Sequence, residues 1–178
     1  QAKEEKARPL IEAARRNLKG RNWQQADLQF EEARKIDPVI FADLYIEQFK
    51  SMLLHRGEPE MAYLWATGVL KDRQQDDPEL LTWFADTVVN DPDIPDANRD
   101  LDFALLAALR AMENAKREGD PKYLSVMATV KFHRGEIEEA IAFQKKAYFA
   151  ASELKKPPYK QALDNYRRQM QRQAVSSQ

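Results

Sequence analysis

His55-Arg56-Gly57-Glu58-Pro59-Glu60-Met61-Ala62 returns later in the chain as His133-Arg134-Gly135-Glu136-Ile137-Glu138-Glu139-Ala140. Six of the eight residues are identical, at an offset of 78. That offset is too long for one helical hairpin and fits two, one of them enlarged. Weaker copies fill the gaps: Gly20-Arg21-Asn22-Trp23-Gln24-Gln25-Ala26, and Arg99-Asp100-Leu101-Asp102-Phe103-Ala104. The marker alanines are then Ala26, Ala62, Ala104 and Ala140, spaced 36, 42 and 36.

Outward from these markers, each unit follows one grammar. A proline (Pro38, Pro78 or Pro121) follows an Asp that can cap a helix. A first helix then carries apolar residues at three and four spacing, as in Leu80, Leu81, Phe84 and Val88, or Leu124, Met127, Ala128 and Phe132. Gly20, Gly57 and Gly135 stand where first helices end, as left-handed caps require. Second helices carry small residues (Ala62 and Ala66, Ala104 and Ala108, Ala140 and Ala147), which let helices approach closely. No strand-period alternation is sustained. The fold class is all-α: hairpins over 7–38, 39–77, 78–120 and 121–154, then a capping helix over 158–173, with 1–178 as one repeat domain. Pro157-Pro158 is expected to break the chain before that helix, whose apolar face is Leu163, Tyr166 and Met170. The third hairpin carries a long loop over 90–98, which accounts for the 42-residue spacing.

Composition excludes several classes. The 178 residues contain no Cys, so there is no disulfide framework, thiolate nucleophile or Cys-ligated metal. Two His leave little for a His-rich metal site. With 32% charged residues and a mean hydropathy of −0.70, no span of about 20 apolar residues is available to cross a bilayer. A net charge of −1 gives no overall pull toward nucleic acid, and 43% hydrophobic content is too apolar for disorder. Starting at Gln1 without a signal-like segment, the chain reads as a mature or excised piece of a longer protein. Residues 1–6 and 173–178 are polar and expected to fray.

This pattern resembles tetratricopeptide (TPR) repeats. Leu124, Met127, Ala128, Gly135, Ile137, Ala140 and Ala147 occupy motif positions in the fourth unit. Ala26, Phe30, Ala33 and Pro38 match the second half of the motif in the first. Lys131 and Gln144 stand where the motif has Tyr and Phe, and an extra residue separates Gly20 from Trp23. The resemblance implies a right-handed superhelix of about four hairpins that binds protein or peptide. A narrower resemblance covers 81–148. There Asp91-Pro92-Asp93, Arg99-Asp100-Leu101-Asp102-Phe103-Ala104-Leu105 and Gly135 to Ala147 look like the TPR-bearing segment attached to some bacterial thioredoxin-fold redoxins. It would imply a periplasmic or envelope location and a redox pair in a separate domain.

Candidate sites follow from the alignment. Glu47 and Ser51, Thr82 and Asp86, and Ser125 and Thr129 fall at matching polar places, each pair one helical turn apart on a shared face. They are the expected peptide groove; the alternative is an outer, solvated face. His55 and His133 read as helix-terminal histidines suited to the dipole. Two hairpins apart in a stacked array, they would be about 20 Å from each other, too far to share a metal. Asp91, Asp93, Asp96 and Asp100 suggest calcium, but the Gly and Glu of a calcium loop are absent, and turn and cap roles fit better. Residues 72–100 hold nine acids and two bases, whereas 1–21 hold seven bases and three acids, and 153–172 six and two. Such segregation suits a partner contact or simply solvated faces; sparse aromatics argue against nucleic acid. Trp23, Trp65 and Trp83 read as core. The expected function is a non-enzymatic interaction or scaffold domain with no cofactor, metal or catalytic residue. Its partner would be a protein, a peptide or another domain of the same chain. The competing class is a small-ligand, metal-binding or enzymatic domain using the acidic 90–100 loop.

Overall fold

Asp77 and Asp120 show how the sequence starts its helices. Each carboxylate accepts a hydrogen bond from the backbone N–H two residues on, Glu79 at 3.0 Å and Lys122 at 2.9 Å. The intervening Pro78 and Pro121 sit at the first helical position, where a missing N–H costs nothing. The computed structural model describes residues 1–71, 76–117 and 119–176. Among these every regular element is helical: α1 (Ala2–Lys19), α2 (Trp23–Ile36), α3 (Asp43–Lys50), α4 (Pro59–Lys71), α5 (Pro78–Asn90), α6 (Leu101–Glu113), α7 (Pro121–His133), α8 (Ile137–Ala150) and α9 (Lys156–Ser176). The chain divides into two compact units, 1–66 and 67–178, with the boundary inside α4. The end of the hairpin expected over 39–77 lies partly outside the described residues.

In the first unit α1 and α2 form an antiparallel pair. Lys3, at the start of α1, donates to Asp37 beyond the end of α2 at 2.7 Å, while Asn17 donates to Gln29 at 2.8 Å. Ala7, Ala14, Phe30, Ala33, Phe41 and Leu44 make the core. Phe30 is fully buried, and losing such a ring costs about 3–5 kcal/mol. The helix begins at Ala2, so most of 1–6 is helical. The turn into α2 corrects one expected cap. Gly20 has φ −80°, and Arg21 takes the left-handed conformation at φ 59°. Asn22 N–H reaches back to Asn17 O at 2.9 Å and Arg21 N–H to Leu18 O at 3.1 Å, the paired bonds of a Schellman cap shifted one residue by the insertion. Asp37 makes the expected turn, accepting from Val39 and Ile40 at 3.0 Å each, but the next regular helix starts only at Asp43. That helix runs into a π turn at Ser51–His55, closed by Arg56 N–H to Ser51 O at 3.2 Å. Phe49 meets Tyr63 edge-on at 5.4 Å, which holds α3 to α4.

In the second unit α5 packs on α6, α7 on α8, and α9 on α8. Leu80, Leu81, Phe84 and Val88 are buried as the spacing predicts, and Phe84 meets Phe103 edge-on at 5.9 Å. Gly135, at φ 80°, makes the same Schellman cap with the expected glycine in place. Glu136 N–H bonds Lys131 O at 2.9 Å, and Gly135 N–H bonds Phe132 O at 3.0 Å. Pro157 and Pro158 fall inside the first turn of α9, so they open this helix rather than precede it. Leu163 and Tyr166 are buried as expected; Met170 is not, at 39% exposed. Tyr166 stacks on Phe132 at 4.5 Å and packs with Ala128 and Ala140. All four marker alanines, Ala26, Ala62, Ala104 and Ala140, are completely buried.

Candidate functional site

The six residues expected to line a groove divide between the two units. In the first, Glu47 is held by Arg15 through two parallel bonds, from Nε at 2.9 Å and Nη2 at 2.8 Å. That pairing raises the Arg15 pKa. Ser51 is buried, its hydroxyl without a hydrogen-bond partner. In the second unit Thr82 is buried and donates to Pro78 O at 2.6 Å. Asp86 is exposed and accepts from Asn90 at 2.8 Å. Ser125 donates to Gln144 Oε1 at 3.0 Å, and the Thr129 hydroxyl lies 3.1 Å from that of Tyr166. Ser125 and Thr129 thus bond to α8 and α9 of their own unit. Burial of Tyr166 raises its pKa. Within these aligned pairs the depth differs: Ser51 and Thr82 are buried, whereas Asp86 is exposed.

The acidic loop over 90–100 is built around Arg99. Its guanidinium donates to Asp96 at 3.0 Å, to Asp91 O at 2.9 Å and to Val88 O. Asp100 caps α6 by accepting from Asp102 and Phe103, and Asp91 accepts from Asp93 N–H. Ile94, 1% exposed, pins the loop to the core. Among the described residues no three His, Asp or Glu converge as a metal set. Arg99 was not singled out in the sequence, although it is the sole base between 86 and 100. His133 ends α7 with its ring against Phe132 at 5.9 Å. Desolvation, and then the Arg99 charge, hold it below the usual imidazole range. His55 ends the π turn in the other unit. None of the three tryptophans joins the fully buried core: Trp23 and Trp65 are half-buried and Trp83 is 38% exposed.

Two concavities stand out, one in each unit. The first, of about 670 Å³, is lined by Leu18, Trp23 and Leu54 with Arg15, Lys19, Arg21, Glu47 and His55. Beside it Arg56, 7% exposed in its side chain, lies 5.2 Å over the Trp23 ring and makes a two-pronged 2.7 Å contact with Asp27. Gln48 also donates to Asp27, at 2.9 Å. This network fixes the end of the π turn against α2. Nothing in the spacing of its residues announced it.

The second concavity, of about 770 Å³, runs along α8. Met112, Leu124, Ala142, Phe143, Phe149 and Ala150 line it, with Lys145 and Lys146 at its rim. Phe149 is 66% exposed, and Leu106 and Leu109 on α6 are 42% and 44% exposed. The Lys146 ammonium lies 5.5 Å over the Phe143 ring. Neither lysine has an ion-pair partner among the described residues. No described helix is long and apolar enough to cross a membrane. No protein-family profile matches the chain, and no curated protein matches it.

Proposed function

We propose that this chain is a non-enzymatic, TPR-like interaction module whose hairpins continue as a right-handed superhelix and whose α8 groove holds a segment of a partner protein. The equivalent burial of the marker alanines supports the repeat reading. One observation carries the functional reading: Phe149 stands two-thirds exposed at an apolar groove whose rim lysines have no counter-charge. Covering such a ring gains about 2 kcal/mol, which a partner presenting an apolar side chain flanked by carboxylates would realise. The competing reading, a ligand or catalytic site on the 90–100 loop, has less support, because Arg99 and Asp100 already use the loop's polar groups to hold its own backbone.

A photo-crosslinking residue at position 149, in the protein expressed in its source cell, tests the proposal. A discrete adduct with another protein is expected, lost when Lys145 and Lys146 become Glu and absent when the crosslinker sits at exposed Glu138. The same adducts from both positions, or none from 149, overturn it.

A further inference from the structure

We infer a second binding site, in the first unit: the pocket beside Trp23 takes an acidic peptide segment, with carboxylates on Lys19 and Arg21 and an apolar side chain against the indole. The site is separate from the α8 groove and does not depend on it.

Charge is the first argument. Of the cations lining this pocket, Arg15 is neutralised by Glu47, with which it forms a two-pronged pair. Lys19 and Arg21 have no side-chain partner among the described residues, and His55 adds a third polar group. Two uncompensated cations at one rim raise the local concentration of carboxylates. The apolar wall is the second argument. Trp23, Leu18 and Leu54 are only half-buried. Arg56 lies 5.2 Å over the indole and braces the ring before a ligand arrives. A braced aromatic next to exposed, uncompensated cations suits an extended chain carrying both side-chain types. The volume of about 670 Å³ admits a few side chains.

Backbone irregularity is the third argument. Arg21 adopts φ 59°, a conformation natural to the glycine immediately before it. Leu54 and His55 come from a π turn, a rare element that often marks functional positions. Two independent departures from regular helix therefore deliver side chains to the same pocket. Retaining Arg where Gly would be less strained is explained if the guanidinium has a ligand to meet.

The test uses the whole protein and the peptide acetyl-Asp-Glu-Phe-Glu-Asp-amide. The three indole N–H signals are followed by NMR, with Trp23's assigned through Trp23→Phe. The Trp23 signal is expected to move saturably while those of Trp65 and Trp83 stay. Arg21→Gly is expected to keep the fold and raise Tm, yet weaken binding about tenfold, the value of one charge-assisted contact. Lys19→Gln is expected to weaken it similarly. An unmoved Trp23 signal overturns the inference. So does an equal response to the peptide with Asn and Gln in place of Asp and Glu, unchanged affinity in Arg21→Gly, or tighter binding of an oligothymidylate than of the peptide. Failure here leaves the crosslink at 149 unaffected, and failure of that crosslink leaves the Trp23 titration unaffected.

Discussion

Gln144, fully buried on α8, donates from Nε2 to the Tyr159 carbonyl of α9 at 3.0 Å. Its Oε1 accepts from Ser125 of α7, so one amide ties three helices together. Gln144→Ala removes both bonds and opens a cavity. A loss of about 2–4 kcal/mol is expected in urea unfolding. Gln144→Leu fills the space but strands the Ser125 hydroxyl and is expected to recover only part of that loss.

The three glycines that end first helices are predicted to respond unequally to Ala. Gly135 and Gly57 have φ of 80° and 70°, so Gly135→Ala and Gly57→Ala should each cost about 1 kcal/mol from backbone strain alone. An added Cβ at either position meets nothing within 4 Å. Gly20 has negative φ and ordinary contacts at 3.5 Å, so Gly20→Ala should change stability by less than about 0.5 kcal/mol. Equal losses at all three, measured by chemical denaturation, would contradict the shifted cap.

Arg99→Ala is predicted to loosen the 90–98 segment without unfolding the helices. Three bonds disappear together: the Val88 carbonyl loses its Arg99 donor, and the Asp91 carbonyl keeps the Ile94 N–H at 3.2 Å. A cost of about 2 kcal/mol is expected, with faster cleavage before Asp93 and Asp96 by an aspartate-directed protease. Unchanged cleavage would mean that Ile94 alone holds the loop.

Tyr123 gives a pH prediction. Desolvation first, and then its 3.0 Å bond to Glu79, push its pKa up to about 12. A folded value above the ordinary one near 10 means that the fold favours the neutral phenol. The resulting stability is complete below about pH 10 and is lost as pH rises toward 12. The stability difference between the protein and Tyr123→Phe should therefore shrink across that window. Glu79 runs the other way: Lys122 holds its carboxyl below the usual range, so that contribution fades as acid protonates it. Denaturation curves taken at both ends of the pH scale check the two signs.

Much of the first-order architecture was legible because its physics is local. Asp77 and Asp120 cap as their Asp-Pro sequences say, and Ala26, Ala62, Ala104 and Ala140 are buried because helix pairs close only over small residues. What escaped is non-local or depends on register. The insertion before Trp23 moved the left-handed position from Gly20 to Arg21, which composition could not reveal. Ser125 and Thr129 bond to Gln144 and Tyr166, 19 and 37 residues away, which no local pattern announces. Tryptophan spacing suggested a core role, yet Trp23 is half-buried and borders a pocket, with Arg56 from another helix end over its ring.

The π turn at Ser51–His55 has a consequence for how this chain tolerates change. One residue more than an α-helix needs is wound into that turn. The wide turn absorbs the extra residue locally, so deleting any one of the five would let the segment relax to ordinary α pitch with the phase of the flanking chain nearly kept. Arg56 would keep its place near Asp27 and the Trp23 ring, but Leu54 and His55, which line the pocket from within the turn, would be presented differently. The segment sets how the pocket wall is presented: a one-residue deletion there, harmless by composition, would detune the first unit's pocket while leaving its helices intact.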